Sequence, residues 1–294
     1  MLRNRATVTS GTIAAMLIVL ACAAAPAAAQ GRGKGLAKKN NRPAGGSSAA
    51  AATSASGSTF AFRQFGSWLD DASLIAPGEA WTAMSWGYYR SSGSNQVDFP
   101  VVDAAVGLTK RWQFGASVPY YRVSLPDGSN FGGLGDVYLN AKYSIVTPDR
   151  KRIGLAVTPI IEILDAPAPG SSRFAWAAPV SIELQRARYR VFATAGYFSR
   201  GALFSSGAVE MVATDRLILT AALIATRSTN AAPEADALGL SKSRVDISAT
   251  AARVITPSIA VFCATGRSLS HADGEGAFSL SGGVSFTFEP RLGP

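Results

Sequence analysis

The chain has 294 residues, 48% of them hydrophobic and 16% charged, with 28 Lys and Arg against 19 Asp and Glu. Residues 1–58 hold seven of the basic residues and no acid, so the remainder carries only about +2. That excludes the basic face of a nucleic-acid-binding domain, and one His with two Cys excludes a soft-metal constellation, so no cofactor or metal is expected.

Residues 1–29 read as a signal peptide. Arg3 and Arg5 make a basic start, an apolar run extends from Ile13 to Ala25, and Ala27-Ala28-Ala29 precedes Gln30. The run is shorter than the roughly 20 residues of a membrane-spanning helix. Val19-Leu20-Ala21-Cys22 also resembles a bacterial lipobox, which would leave a lipidated Cys22 instead of cleavage near Ala29. Both readings export the chain. After cleavage only Cys263 remains, so no intramolecular disulfide can form.

Residues 30–58 are rich in Gly, Ala and Ser with Arg32, Lys34, Lys38, Lys39 and Arg42, the composition of a disordered basic linker. The linker is either a solvated leader or an electrostatic attachment to anionic lipid heads or peptidoglycan. Residues 59–78 form a short pre-barrel segment. There Phe62, Phe65, Trp68 and Leu69 recur near helical spacing and predict a short amphipathic turn or helix. It could cap a barrel mouth, lie on the membrane, or pack against the first strand.

From Glu79 onward the pattern is strand after strand. One such stretch follows Gly133, Leu134 to Val146. Asp136, Tyr138, Asn140, Lys142 and Ser144 fall on one face, and Val137, Leu139, Ala141, Tyr143 and Ile145 on the other. A period of two is a strand's repeat. Twelve such segments are predicted: Ala80–Arg90, Phe99–Thr109, Trp112–Ser124, Gly135–Thr147, Arg152–Leu164, Phe174–Ala187, Tyr189–Arg200, Ser206–Thr214, Leu217–Ser228, Arg244–Ile255, Ser258–Ser268 and Ala277–Phe288. Their length is that of tilted strands crossing a bilayer, and no helical pattern separates them. The expected fold is all-β, a transmembrane antiparallel up-and-down β-barrel of about 12 strands over residues 79–289.

The connections alternate. Long ones are expected at Ser91–Val97, Leu125–Gly133, Asp165–Arg173, Thr229–Ser243 and Leu269–Gly276, with Gly201–Ser205 the short exception. Tight ones fall at Lys110-Arg111, Pro148–Lys151, Ala187-Arg188, Asp215-Arg216 and Thr256-Pro257. An even strand number with short periplasmic turns puts both termini in the periplasm. Tyr88, Tyr89, Trp112, Tyr120, Tyr121, Trp176, Tyr189 and Tyr197 lie near strand ends, where aromatic girdles sit.

Gly107–Tyr121 (GLTKRWQFGASVPYY) followed by GLGDVYLNAKYSIV resembles the phenol-degradation MetA-pathway family, small outer-membrane β-barrels described as transporters. The matching pieces are the tight turn after Gly107-Leu108-Thr109, Val118-Pro119-Tyr120, Gly135-Asp136 and Lys142-Tyr143. The resemblance implies an outer-membrane barrel and a small-molecule solute; it supplies no substrate residue. The long basic leader is not part of the family pattern.

No catalytic group is expected. His271 sits in an expected outer loop with Ser268, Ser270 and Asp273, a setting of ordinary solvated polarity. Asn130 to Gly135 lacks the helix that a phosphate-binding loop needs. The loop acids Asp127, Asp165, Glu234, Asp236, Asp273 and Glu275 are either solvated charge or bridges to lipopolysaccharide through divalent cations. Asp103, Asp136, Asn140, Lys142, Glu162, Glu183, Glu210, Arg244 and Asp246 fall on the inward phase and are the candidate lumen-lining residues. Two roles are open to them: a salt-bridged filling that stiffens the barrel, or a charged lining that selects solutes. The expected function is passive passage of small aromatic or apolar molecules, with a non-conducting structural or surface-interaction barrel as the alternative. Expected partners are outer-membrane lipid, lipopolysaccharide, a small-molecule solute and the barrel-assembly machinery, with no nucleic acid.

Overall fold

The computed structural model describes residues 50–56, 59–65, 69–91, 94–165, 172–199, 201–229, 243–269 and 278–289. Residues 1–29, and with them the expected signal sequence, lie outside the described residues, as do His271, Glu234, Asp236, Asp273 and Glu275.

Two strands precede the barrel: β1 (Ala50–Ser56) pairs antiparallel with β2 (Thr59–Phe65). Composition assigns the first to linker, and the aromatic spacing of the second predicts a helical turn. The correction has a physical basis, since Phe60 and Phe62 also alternate with Thr59, Ala61 and Arg63 at a strand's period.

The barrel is closed, antiparallel and 12-stranded. Nine crossings are continuous: β3 (Ala80–Ser91), β4 (Ser94–Gly107), β5 (Trp112–Ser124), β12 (Tyr189–Phe198), β13 (Ala202–Thr214), β14 (Leu217–Ser228), β15 (Ser243–Thr256), β16 (Ile259–Ser268) and β17 (Phe278–Phe288). Three are split in two: β6 (Asn130–Leu134) with β7 (Val137–Val146), β8 (Gly154–Val157) with β9 (Ile160–Ile163), and β10 (Phe174–Ala177) with β11 (Val180–Gln185). Each crossing pairs with its sequence neighbours. The ring closes where β17 pairs with β3, from Phe278↔Arg90 to Phe288↔Ala80.

Proline explains two of the splits. Pro159 and Pro179 have no N–H to give the ladder, so strand geometry lapses beside them. Isolated bonds carry the sheet across: Ala141 N donates to Pro159 O at 3.0 Å, and Thr158 N to Pro179 O at 3.0 Å. At the third, Gly135 N donates to Pro119 O at 2.6 Å.

All twelve expected segments correspond to crossings, but three hairpins reach further than the pattern suggests. Ser91 pairs with Ser94, so the expected long connection Ser91–Val97 is a tight one. Likewise β6 pairs Asn130 with Ser124, leaving Leu125–Ser129 as the turn, with Gly128 in the left-handed region at φ 81°. Ala202 pairs with Phe198, extending β13 ahead of Ser206. Polar residues at the first two positions suggest loops, yet ladder bonds satisfy their backbone.

Facing follows the alternation. Leu139 and Ile145 are exposed while Lys142 and Ser144 are buried; on β17, Phe278, Leu280, Phe286 and Phe288 are exposed while Ser281 and Ser285 are buried. Among the expected girdle aromatics, Trp112 and Tyr189 are exposed at the turn end, and Tyr120, Trp176 and Tyr197 at the loop end. Two depart from the expectation. Tyr89 is buried on the inner face under Arg244, whose Cζ lies 5.3 Å from its ring, and Tyr121 shares the inner phase of Gln113 and Ser117. Adjacent Tyr pairs necessarily put one ring inside, because neighbours on a strand face opposite ways.

A candidate functional site inside the barrel

Leu69 to Pro77 is an irregular strap that runs inside the barrel. Leu69 packs with Phe192, Ala208 and Ala222 near the middle of their strands. Six residues on, Ile75 packs with Trp81, Ala83 and Ala105 near the turn end. The strap leaves at Gly78 (φ 84°), where Gly78 N donates to Gly107 O at 2.8 Å and Gly107 N to Glu79 O at 3.0 Å. A Cβ on Gly107 would collide with the carbonyls of Ile75 and Ala76, so only glycine allows this approach.

Two acids anchor the strap on two bases. Lys142 Nζ donates to Asp70 Oδ1 at 2.5 Å, to the Asp71 carbonyl at 2.9 Å and to Asp71 Oδ1 at 3.2 Å. Arg190 Nη1 donates to Asp71 Oδ2 at 2.9 Å and to Glu183 Oε1 at 3.2 Å, while its Nε and Nη2 hold Glu210 at 2.7 and 3.1 Å. The guanidinium also stands over the Phe192 ring, Cζ to centroid 4.9 Å. Hydroxyls complete the cradle: Thr158 Oγ1 donates to Asp70 Oδ2 at 2.9 Å, and Thr194 Oγ1 to the Asp70 carbonyl at 2.5 Å.

Barrel acceptors take the strap's donors in return. Glu183 Oε2 accepts from Ala72 N at 3.1 Å and from Ser73 Oγ at 2.7 Å. Gln113 Oε1 accepts from Ile75 N at 2.8 Å. The strap meets the sheet at Pro77, bridged to Gly107, and barrel side chains take the amides of Ala72 and Ile75. Lys142, Arg190, Asp71, Glu183 and Glu210 are each at most 2% exposed. Removing one partner from such a buried network strands its counter-charges, which typically costs about 3–5 kcal/mol.

The candidate residues divide among three settings. Lys142, Glu183 and Glu210 belong to the strap network. Arg244 and Asp246 form a separate pair, Nε to Oδ1 2.8 Å, about one-fifth exposed. Asp103 and Glu162 are fully enclosed elsewhere on the inner face, Asn140 is half-buried, and Asp136 accepts from Asp165 N at 3.1 Å. On β14, β15 and β16, Ile218, Ala252 and Phe262 pack together on the inner face, beside buried Thr220 and Thr250.

The residues that sequence reasoning misses are Asp70, Asp71, Ser73, Gln113, Thr158, Arg190 and Thr194. Arg190 carries a usable signal, since it shares the inward phase of Phe192, Thr194 and Phe198. Asp70 and Asp71 carry a weaker one: two adjacent acids amid apolar residues with no base nearby in sequence.

No family model matches the chain, and no curated protein matches it. The resemblance to the MetA-pathway family is therefore not matched at family level. Among solved structures, a KdgM porin in complex with disordered oligogalacturonate is 9% identical, with 70% of this chain covering 99% of that one at a TM-score of 0.48. The CymD monoaromatic hydrocarbon channel is 9% identical over 73% of this chain and 89% of its own, TM-score 0.40. The outer membrane protein OprD from Pseudomonas aeruginosa is 7% identical over 75% and 97%, TM-score 0.36.

Proposed function

We propose that this chain is an outer-membrane barrel for passive passage of small molecules, with the Leu69–Pro77 strap as its internal gate. The observation that carries the reading is the division between its two surfaces. Met84, Val102, Leu139, Ile161, Ile182, Leu203, Val261 and Phe286 are exposed around the outside, while Asp103, Lys142, Glu162, Glu183, Arg190 and Glu210 are enclosed. In water that outer belt would exceed the few hundred Å² of apolar patch that monomeric proteins usually tolerate. In lipid it matches the hydrocarbon layer, and the charges are where lipid cannot reach them.

Passage follows from how the strap is held. Side chains, not a β-ladder, tie it to the wall, so it can leave without unzipping the barrel. An aromatic or apolar solute rests on the family resemblance. Export through residues 1–29, contact with lipopolysaccharide and insertion by the barrel-assembly machinery belong to the same location. A non-conducting barrel is the second reading, favoured by the density of ion pairs around Arg190.

Planar-bilayer conductance of the refolded chain beside an Asp70→Asn/Asp71→Asn variant separates the two. The gate predicts larger or more frequent openings in the variant, and swelling of proteoliposomes in aromatic acids, sugars or alkanes then identifies the solute. Silence in both proteins removes passage and leaves the structural barrel. A signal-free chain that stays monomeric without detergent removes the membrane itself.

A further inference from the structure

We propose that the cradle occupied by Asp70 and Asp71 is a binding site for small dicarboxylates, and that such a solute opens the barrel by taking the strap's place. The proposal rests on the gate reading for its consequence, but the site stands on its own geometry. Four donors from three crossings converge on these two residues: Lys142 from β7, Thr158 beside β8 and Arg190 from β12 reach the carboxylates, and Thr194 from β12 donates to the Asp70 carbonyl. The cations are 1% and 2% exposed, so their only counter-ions are those the interior supplies. Charge-assisted bonds of this kind are the strong ones, and they recognise carboxylate irrespective of the molecule that carries it.

The cradle is also selective in what accompanies the acids. Glu183 and Gln113 face the next stretch of strap and accept N–H and O–H groups from Ala72, Ser73 and Ile75. A monovalent anion would satisfy Lys142 while leaving those acceptors unmet. The fitting solute has two carboxylates on neighbouring carbons or residues, with amide or hydroxyl donors beside them. Binding such a solute requires the strap to be out, so its apparent affinity is reduced by the fraction of barrels with the strap seated.

The test uses the blocked dipeptide N-acetyl-Asp-Asp-amide against N-acetyl-Asn-Asn-amide, at matched ionic strength. In a Cys263→Ser background, Ala72→Cys reports the strap, because position 72 is fully enclosed when the strap is seated. The acidic dipeptide should raise the rate of thiol modification at least ten-fold and saturably. The amide should not, and Lys142→Met should abolish the response. Calorimetry needs no cysteine and covers failure of that variant to fold. The acidic dipeptide should bind Asp70→Asn/Asp71→Asn about ten-fold more tightly than the unmodified chain. Equal binding to the two, or acceleration by chloride as large as by the dipeptide, overturns the site. Saturable strap release without any conductance keeps the site and discards the gate.

Discussion

Asp71 and Arg190 meet inside the barrel at 2.9 Å although 119 positions separate them in the chain. The same guanidinium holds Glu183 and Glu210, so one side chain joins the strap to β11, β12 and β13. Arg190→Met takes the cation from enclosed Glu183 and Glu210, leaving Asp71 to Lys142 alone, and is expected to cost about 3–5 kcal/mol, read as the urea midpoint in lipid vesicles. Arg190→Lys keeps the charge but replaces a planar fork with a point, so it should recover only part of the loss. An Arg190→Met barrel as stable as the parent would show that the network contributes little.

Gly107 sets where the strap leaves. Adding one methyl in Gly107→Ala drives it into the carbonyls of Ile75 and Ala76, both backbone groups that cannot swing aside. The expected loss is about 1–3 kcal/mol, the range for forcing extra volume into a packed site. Gly133 has open space at the same construction, so Gly133→Ala is the control and should cost much less. Equal midpoints for the two variants would remove the close approach as a constraint.

The barrel was legible because most of its crossings repeat a simple rule, β14 with its largely apolar sequence being an exception. In Val137–Val146 the polar residues fall on one phase, and enclosure of Lys142 and Ser144 with exposure of Leu139 and Ile145 follows directly. Strand ends were less legible: Ser91, Ser94 and Asn130 read as loop residues, and only cross-strand pairing gives them partners. The strap was not legible. Its partners lie 38 to 124 positions further on, and nothing local distinguishes a buried Asp-Asp from a solvated one. The aromatic spacing of β2, just ahead of it, satisfies a helical repeat and a strand repeat in turn. Arg190 could have been read from its phase: Glu210 and Glu183 reach it through the β12–β13 and β11–β12 hairpins, and only Asp71 comes from far along the chain.

Asp149 gives a pH-dependent turn outside the membrane-spanning strands. Its carboxylate accepts from Lys151 N at 2.6 Å and Arg152 N at 2.8 Å, and those amides, Lys151 first, hold it below the ordinary carboxylate value of 3.8. A group lowered on folding contributes stability in full above its unfolded value and loses it as pH falls through the lower folded one. Carboxyl carbon NMR should therefore place the Asp149 midpoint below 3.8, and Asp149→Ala should remove protection of the Lys151 and Arg152 amides. A midpoint at or above that value would mean the turn is not formed as described.

Val102 tests what touches the outside of the barrel. It lies near the middle of β4, paired with Met84 and Val118, and is 42% exposed beside a fully enclosed Asp103. If lipid surrounds it, Val102→Arg places a guanidinium in hydrocarbon, at a cost of about 2–4 kcal/mol near the midplane. If water surrounds it, the same exchange on an exposed strand should stay within about 0.5 kcal/mol. Urea titration of the two proteins in vesicles reads the difference directly. Ser258→Arg, at an exposed turn position, should be tolerated in either setting, which separates depth from mere added charge. A Val102→Arg midpoint unchanged from the parent would take away the lipid belt, and with it the reason for the charges to be inside.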